Sequence, residues 1–412
     1  MILSWLDRNG KLVFLSRTVR AFGYGFLSIT LGIYLNLLGF SEVAIGFLLM
    51  AALANSIFFN LLASLYADRW GRRKTLAAFA SLMALSGITF YLTDNYLAMI
   101  LAAFIGTVNV TGTEASSFFS IEQAIVPQTC PPEKRNTAFG LYNTFGALAM
   151  ALGVLVGGLP DLLQSAFRLC VVAAIKPLFL IYALIGLSTL MVFSALSKDV
   201  ELNRVENAGS SSLSPESRRV ITRLSALFGI DALAGGFVIQ SIFSLWFFVK
   251  FGVQLSGISY IFAASALLQA FSYMAASRLA NRFGLINTMV FTHIPSNIFL
   301  ILVPVAPTLS LAIATLFARS SLSQMDVPTR QSYIVSIVKP EERTAAAGLT
   351  TIARNVTQSI SPSFTGYLLQ FVSLSAPFFL AGGLKVIYDL ALYSSFRKLK
   401  TPEETHSPDV LR

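Results

Sequence analysis

Runs of about twenty apolar residues recur along the whole chain, and they constrain its fold more than any other feature. A helix needs roughly 20 apolar residues to cross the hydrocarbon core of a bilayer, and each run here is followed by a short polar segment. Hydrophobic residues occupy 55% of the 412 positions and charged residues only 12%. An average soluble protein carries about 25% charged residues. The sequence therefore predicts an all-α membrane protein.

Twelve of these runs are predicted to be transmembrane helices, which we number span 1 to span 12. The first is expected to be retained, because the N-terminus has charged residues inside its apolar stretch and lacks the small-residue cleavage pattern of a signal peptide. The predicted spans are 19–39, 43–67, 75–93, 96–127, 137–160, 175–196, 220–249, 255–280, 287–306, 308–337, 344–370 and 376–396.

Basic residues are concentrated in alternate loops. Cytoplasmic loops are enriched in Lys and Arg close to the helix ends, and one set of loops here holds nearly all of them, whereas the other set holds only Arg168, Lys176 and Lys250. This asymmetry predicts that both termini are cytoplasmic. The net charge of +10 follows the loops rather than a single face, so it does not indicate nucleic-acid binding.

The chain also contains an internal repeat. Residues 64–75, SLYADRWGRRKT, match residues 277–288, SRLANRFGLINT, and residues 131–141 match residues 339–349 at a similar offset. Two matches at nearly one offset indicate six helices duplicated in parallel orientation, an arrangement found in one large class of secondary transporters.

This duplication predicts the domain organisation. Residues 1–197 form an N-terminal six-helix bundle, and residues 218–412 form a C-terminal one. Residues 198–217, KDVELNRVENAGSSSLSPES, are polar and rich in Ser, which is typical of a linker. We expect this linker to be cytoplasmic.

Residues 68–74, DRWGRRK, resemble the signature loop of the major facilitator superfamily, G-x-x-x-D-R-x-G-R-R/K-K/R, with Ser64 in place of the first Gly. The resemblance extends over the twelve spans, the termini and the linker, and it implies the fold of that superfamily and solute transport by alternating access. It also implies a loop that acts as a latch between the bundles, with Asp68 docked near Thr344 at the positive N-terminal end of span 11. A purely topogenic charge cluster is the alternative. The candidate latch residues are Asp68, Arg69, Gly71, Arg72 and Arg73, with Asn281, Arg282 and Gly284 in a weaker second copy.

Span 5 contains ALAMALGVLVGGL, which resembles the antiporter motif of the superfamily. Gly153, Gly157 and Gly158 are in place, and Val154 stands where the motif has Pro. The resemblance implies export, but small residues at this spacing also let any two membrane helices approach closely. Residues 121–124 and 323–334 resemble a prokaryotic subgroup of the superfamily whose substrate is unknown.

Ionisable residues inside the predicted spans are the candidate pathway for solute and protons. A charge at bilayer depth costs roughly 2.5 to 3.5 kcal/mol on insertion scales, so such residues are functional hypotheses by default. On a continuous helix, Arg319, Asp326 and Arg330 of span 10 share one stripe. Glu122 of span 4 is equivalent by the repeat to Arg330, so the two are predicted to face one another across a central cavity. The candidates are Arg20, Tyr24, Glu114, Glu122, Asp231, Asp326, Arg330 and Arg354.

Two roles remain open for these charges. Asp326, Glu122 or Asp231 loses and regains a proton during transport while an Arg competes for it, because burial raises a carboxylate pKa and a nearby Arg lowers it. Alternatively, the charges form buried ion pairs that only set the bundle geometry.

Three further polar residues lie in spans 9 and 12, and the resemblance places span 12 at the periphery of the bundles. Lys385 and Asp389 are four residues apart in span 12 and are predicted to pair with each other. His293 in span 9 is predicted to be a packed residue rather than a proton carrier.

The sequence thus predicts a secondary active transporter for a small solute in the plasma membrane, coupled to protons and monomeric, with export favoured over import. The alternatives are a proton-coupled importer of a nutrient or organic anion and, from a different class, a transporter-like membrane sensor. An enzyme is not expected, and neither are a cofactor, a metal site or a nucleic-acid partner, because phosphate loops and metal-ligand clusters are lacking and there are only two histidines.

Overall fold

The computed structural model describes residues 3–112, 117–131, 134–201, 214–339 and 342–397, and within these ranges the chain is helical, with no β-strand. Its α-helices are α1 (Arg8–Leu37), α2 (Glu42–Trp70), α3 (Arg72–Leu92), α4 (Tyr96–Ile105), α5 (Phe119–Ile125), α6 (Arg135–Val156), α7 (Leu159–Phe167), α8 (Val171–Ser194), α9 (Pro215–Gly236), α10 (Gln240–Phe251), α11 (Leu255–Phe283), α12 (Leu285–Leu302), α13 (Leu309–Leu322), α14 (Asp326–Ser336), α15 (Arg343–Phe371) and α16 (Ala376–Phe396).

Each predicted span corresponds to one of these helices or to consecutive ones, which confirms the predicted all-α membrane architecture. Eight segments of the described chain are long and apolar enough to cross a bilayer, and one of them, Pro215–Phe251, contains both α9 and α10. Span 1 begins eleven residues earlier than its predicted start at residue 19. The earlier start is explained by Asp7, whose Oδ1 accepts a hydrogen bond from the backbone N–H of Gly10 at 2.6 Å and caps α1.

Span 4 is interrupted, so the prediction of one continuous helix over 96–127 was wrong. Helix α4 ends at Ile105, and the next described helix, α5, begins at Phe119. Between them Thr107 has a φ of 53°, and the side chain of Asn109 accepts the backbone N–H of Thr111 at 2.9 Å. Short polar side chains that bond the nearby backbone in this way compete with helix formation.

Spans 7 and 10 are also divided. Helix α9 ends at Gly235 and Gly236, a pair of residues that weakens a helix. Pro328 lies in the first turn of α14, where its missing N–H costs little because that turn has no intrahelical acceptor. Arg319 belongs to α13 and Asp326 begins α14, so the predicted stripe of three charges on one continuous helix was wrong.

The described helices form two compact units. Unit 1 contains residues 1–206 and 239–263, and in it α1 packs against α6, α8 and α10 while α3 packs against α8. Its core includes Phe14, Phe118 and Phe193. The predicted domain boundaries at 197 and 218 stay a prediction.

Unit 2 contains residues 207–238 and 264–412. Helix α9 packs against α15 and α16, and α12 packs against α13, α14 and α16. Phe228, Met289 and Tyr388 belong to its core. Helices α9, α12, α14, α15 and α16 bring together the largest group of buried charges in this unit.

The small residues of span 5 lie in the contact between α1 and α6. A methyl group on Gly153 would overlap the backbone carbonyl of Phe22, and one on Gly25 would overlap the carbonyl of Met150. Further along the chain, Gly157 faces the side chain of Ile29, and a methyl group on Gly158 would lie 2.8 Å from the Cα of Ser256. The glycines therefore permit the close helix approach that small residues allow in membranes.

We expect Gly153→Ala to lower the free energy of unfolding by about 1 to 3 kcal/mol, because the added methyl group meets backbone that cannot rotate away. Gly140→Ala on the same helix is the matched control, since nothing lies within 4 Å of the position of its Cβ. Thermal and denaturant unfolding of both variants in detergent measure the difference. Equal stability of the two variants would contradict the account of this helix contact.

Glu342 connects the start of α15 to the start of α9. Its carboxylate accepts hydrogen bonds from the hydroxyl of Ser217 and the backbone N–H of Ser214, each at 2.6 Å. These bonds lower the pKa of Glu342 to about 2. They favour the ionised form, so their contribution to stability is present above the ordinary Glu pKa and is lost as the pH falls towards 2.

We therefore expect Glu342→Gln to lower the melting temperature at neutral pH and the difference from the wild type to disappear between about pH 4.5 and pH 2. Melting curves across that range test this, with Glu216→Gln as the control because Glu216 is exposed in the first turn of α9. A difference that is constant with pH would exclude the proposed role of the carboxylate charge.

Candidate functional site

Most of the buried charged residues lie in two clusters, one in each unit. The unit 1 cluster consists of Ser16, Arg20, Glu122 and Tyr142. The unit 2 cluster consists of Asp231, His293, Asn297, Asp326, Arg330, Arg354, Lys385 and Asp389.

The unit 1 cluster is centred on an ion pair between α1 and α5. The guanidinium of Arg20 donates to Glu122 Oε1 at 3.0 Å and to Oε2 at 2.7 Å, and both side chains are 0% exposed. The hydroxyl of Ser16 donates to Oε1 at 2.8 Å, and that of Tyr142 in α6 donates to Oε2 at 2.5 Å. Both oxygens of Glu122 therefore have two donors each.

Aromatic rings surround this ion pair. The Arg20 guanidinium lies 4.1 Å from the ring centre of Phe118, and such cation–π contacts are stronger when water is excluded. The buried ring of Tyr24, one turn further along α1, lies 6.3 Å from that of Tyr182. The predicted candidates Arg20, Tyr24 and Glu122 thus lie inside unit 1, whereas Glu114 lies outside the described residues.

Asp231 of α9 is the centre of the unit 2 cluster. Its Oδ2 is 2.8 Å from Arg354 Nη1 and 3.6 Å from Arg330 Nη1. Its Oδ1 is 2.5 Å from Lys385 Nζ and 3.9 Å from His293 Nε2. Asp231 is only 2% exposed, so one buried carboxylate links α9 to α12, α14, α15 and α16.

The remaining carboxylates of the cluster have partners of their own. Asp326 accepts from Arg330 at 2.6 Å, one turn apart on α14. Asp389 of α16 lies 2.8 Å from His293 Nδ1 and accepts from the amide of Asn297 at 2.9 Å.

The predicted pair of Lys385 with Asp389 is therefore not formed. Lys385 contacts Asp231 instead, and Asp389 contacts His293 and Asn297. The reason is that residues four apart on one helix also have neighbours on adjacent helices, and here α9 and α12 offer each side chain a closer partner.

The unit 2 cluster is electrically balanced. Three carboxylates face three permanently charged bases, so the cluster is neutral when the imidazole is neutral. Most of its side chains are buried, but that of Arg354 is 25% exposed. Asp231 has four basic side chains within 4 Å, whereas Glu122 has one, Arg20, together with two hydroxyl donors.

Glu122 and Arg330 each have ion-pair partners within their own unit. Their predicted opposition across a central cavity involves both units and stays a prediction.

The loop between α2 and α3 is held by a residue that sequence reasoning missed. Gly71 has a φ of 99°, which favours glycine, and it precedes α3. The carboxylate of Glu201 accepts from the backbone N–H groups of Arg72 at 2.6 Å and of Arg73 at 3.2 Å. A carboxylate at a helix N-terminus is stabilised by the helix dipole, so Glu201 fixes the start of α3.

The other predicted latch residues are only partly described. Arg69 is exposed, as is Arg282, and Gly284 has a φ of 87° before α12. The side chains of Asp68 and Asn281 lie outside the described part of the chain. The predicted docking of Asp68 near Thr344 stays a prediction.

A comparison with known protein families agrees with this architecture. A model of the Major Facilitator Superfamily matches residues 13–250 and 226–410, so the chain belongs to the major facilitator superfamily. The protein is accordingly a membrane transporter of small solutes and not an enzyme.

The chain is also similar to individual proteins. It is 27% identical over 422 residues to the uncharacterized membrane protein YJR124C of Saccharomyces cerevisiae (strain ATCC 204508 / S288c), with 95% of this chain and 94% of that protein covered.

Solved structures share the fold at low sequence identity. The nucleoside transporter NupG has a TM-score of 0.72 at 15% identity and covers 95% of this chain and 100% of its own. The D-xylose–proton symporter has a TM-score of 0.71 at 13% identity and covers 96% of this chain and 98% of its own. A bacterial homologue of the human lysosomal transporter Spinster has a TM-score of 0.73 at 14% identity, with coverage of 97% and 98%.

Proposed function

We propose that this transporter is coupled to protons and that Asp231 is the carboxylate that loses and regains a proton during the cycle. The observation that carries this proposal is the position of Asp231, buried and shared between four basic side chains on four other helices. Ionisable groups buried in membrane spans are characteristic of proton pathways.

Protonation of Asp231 would change how the helices of unit 2 are held. The ionised carboxylate attracts Arg354 of α15 and Lys385 of α16, and the neutral acid attracts them much less. Proton binding therefore weakens the links from α9 to α15 and α16, and deprotonation restores them. Two packings that differ in proton affinity are what coupling to a proton gradient requires.

We favour export with proton counterflow, because the small-residue segment in span 5 resembles the antiporter motif. A proton-coupled importer of an organic anion is the second candidate. The observation that favours it is the excess of positive charge that appears around Arg330, Arg354 and Lys385 once Asp231 is neutral. The human organic anion transporter MFSD10 has the same fold, with a TM-score of 0.63 at 15% identity.

We further propose that the transporter acts as a monomer in the plasma membrane with both termini in the cytoplasm. The support for the orientation is the concentration of Lys and Arg in alternate loops. Cysteine-accessibility labelling of single cysteines placed at Arg168 and Lys198, in a protein whose own cysteines are removed by Cys130→Ser and Cys170→Ser, tests the orientation in intact cells. Labelling of the first and protection of the second are expected, and the reverse pattern would refute it.

Proteoliposomes test the function on a mixture of solutes rather than on one chosen compound. Purified protein is reconstituted, exposed to a small-molecule extract of the expression host under pH gradients of either sign, and the luminal contents are compared with those of empty vesicles by mass spectrometry. We expect at least one solute whose accumulation follows the sign of the gradient. Solute accumulation that ignores the gradient would refute proton coupling, and no accumulation of any component would refute the transport proposal itself.

A further inference from the structure

His293 lies between two buried carboxylates of the unit 2 cluster. Its Nδ1 is 2.8 Å from Asp389 Oδ1, and its Nε2 is 3.9 Å from Asp231 Oδ1. The ring is 4% exposed, and the edge-to-face ring of Tyr388 packs at 6.1 Å. The imidazole therefore has one nitrogen directed to each carboxylate.

Asp389 determines which nitrogen of His293 carries the hydrogen in the neutral ring. A carboxylate accepts hydrogen bonds, so the Nδ1–H of the imidazole donates to Asp389 and the lone pair is left on Nε2. The amide nitrogen of Asn297 lies 2.9 Å from the other oxygen of Asp389 and 3.2 Å from His293 Nδ1. Because the amide and Nδ1–H are both donors, each donates to Asp389, and the amide holds this carboxylate in place. The free lone pair of the ring thus lies on the side of Asp231.

Lys385 and His293 both lie on the side of the same Asp231 oxygen, Oδ1. Lys385 Nζ is 2.5 Å from Oδ1, and His293 Nε2 is 3.9 Å from it, whereas Arg330 and Arg354 are on the side of Oδ2. A group that approaches Oδ1 from His293 must compete with Lys385. The arginines can keep Oδ2 in place during this exchange.

We propose that the His293–Asp389 pair takes up the transported proton and passes it to Oδ1 of Asp231, where it displaces Lys385. This inference rests on the proposed proton coupling and deepens it. The proton binds the Nε2 lone pair to give an imidazolium, which Asp389 stabilises through Nδ1–H. Nε2–H then protonates Asp231 Oδ1, the ring returns to its neutral form, and Asp231 becomes a neutral acid.

Charged and titratable groups face the imidazole from every described helix that packs against α12. They are Asp231 on the adjoining α9, Arg319 on α13, Asp326 and Arg330 on α14, Arg354 beyond Asp231 on α15, and Lys385, Tyr388 and Asp389 on α16. Arg319 lies outside the unit 2 cluster. Within the cluster, three carboxylates offset three permanently charged bases, so the added proton is the cluster's one uncompensated charge. Transfer to Asp231 moves this excess from the ring to Arg330, Arg354 and Lys385, and withdrawal of Lys385 relieves it there.

The chain has two histidines, His293 and His406, so a variant without His406 has one imidazole to observe. In the His406→Gln protein, nitrogen NMR of histidine-labelled samples reports only the His293 ring. We expect both ring nitrogens to carry a hydrogen after acidification and only one before it. In the added presence of Asp389→Asn, only one should carry a hydrogen under the same acidic conditions. A ring that is singly protonated throughout in the His406→Gln protein would overturn the proposal.

A transport assay is the second test. It uses the solute found in the extract assay and measures the ratio of its accumulation with a pH gradient to its accumulation without one. We expect His406→Gln to keep the wild-type ratio, and His293→Gln and Asp389→Asn to lose the stimulation. A wild-type ratio in folded His293→Gln would overturn this proposal and leave the coupling at Asp231 intact. A wild-type protein that shows no stimulation would instead refute the proposed function and this proposal with it.

Discussion

Glu122→Gln is expected to lower the free energy of unfolding by about 3 to 5 kcal/mol, the usual cost of removing one partner of a buried ion pair. The guanidinium of Arg20 keeps its charge in the variant, and it is 0% exposed, so water cannot replace the lost carboxylate. Ser16 and Tyr142 also lose the charged acceptor of their hydrogen bonds. Denaturant unfolding in detergent micelles measures the effect.

An exposed ion pair of the same unit supplies the control. Lys176 and Asp94 are 3.1 Å apart, with side chains 25% and 47% exposed, and Lys176→Gln should cost less than about 1 kcal/mol. The double variant Arg20→Met, Glu122→Leu should be more stable than Glu122→Gln, since both charges of the pair are then removed together. If Glu122→Gln proves no more harmful than Lys176→Gln, the unit 1 pair does not stabilise the fold.

Asp231→Asn is expected to remove the stimulation of transport by a pH gradient. An amide of the same shape cannot take up a proton at this position, so the two packings of α9 against α15 and α16 no longer differ in proton affinity. The quantity measured is the ratio of solute accumulation with and without the gradient in proteoliposomes. A ratio equal to that of the wild type would mean that the proton binds at a residue other than Asp231.

The variant also unbalances the unit 2 cluster, because Arg330, Arg354 and Lys385 then face two carboxylates. We expect Asp231→Asn to be less stable than the wild type and Asp231→Asn, Lys385→Met to recover part of the loss, as the second change removes the surplus charge. Both proteins should be uncoupled. Uncoupling in the more stable double variant would separate the loss of the proton site from a loss of folding.

The helical membrane architecture was predictable because the length of an apolar run is set by the thickness of the bilayer, independently of any partner. The interruptions of spans 4, 7 and 10 were harder to predict from the sequence. Between α4 and α5, Thr107 has a positive φ and the side chain of Asn109 accepts the backbone N–H of Thr111, features that a hydropathy pattern does not register. The Gly235–Gly236 pair and Pro328 did mark the other two breaks, but residues of these types also occur inside membrane helices.

The buried charges could be found from the sequence, whereas their partners could not. Asp326 and Arg330 were predictable neighbours because they are one turn apart on α14. Asp231 and Lys385 are joined across 154 positions of sequence, and only helix packing determines that contact. The same limit hid the contact of His293 with Asp389 and that of Glu201 with the start of α3, because these partners are 96 and 129 positions apart in the sequence.

Wild-type vesicles that contain a trapped fluorescent pH indicator give the most direct test of proton coupling. With no initial pH gradient, an imposed gradient of the transported solute should drive protons across the membrane, so the luminal pH should change with the time course of solute movement. Empty vesicles and Asp231→Asn should show no such change. Solute movement by the wild-type protein at constant luminal pH would contradict the account.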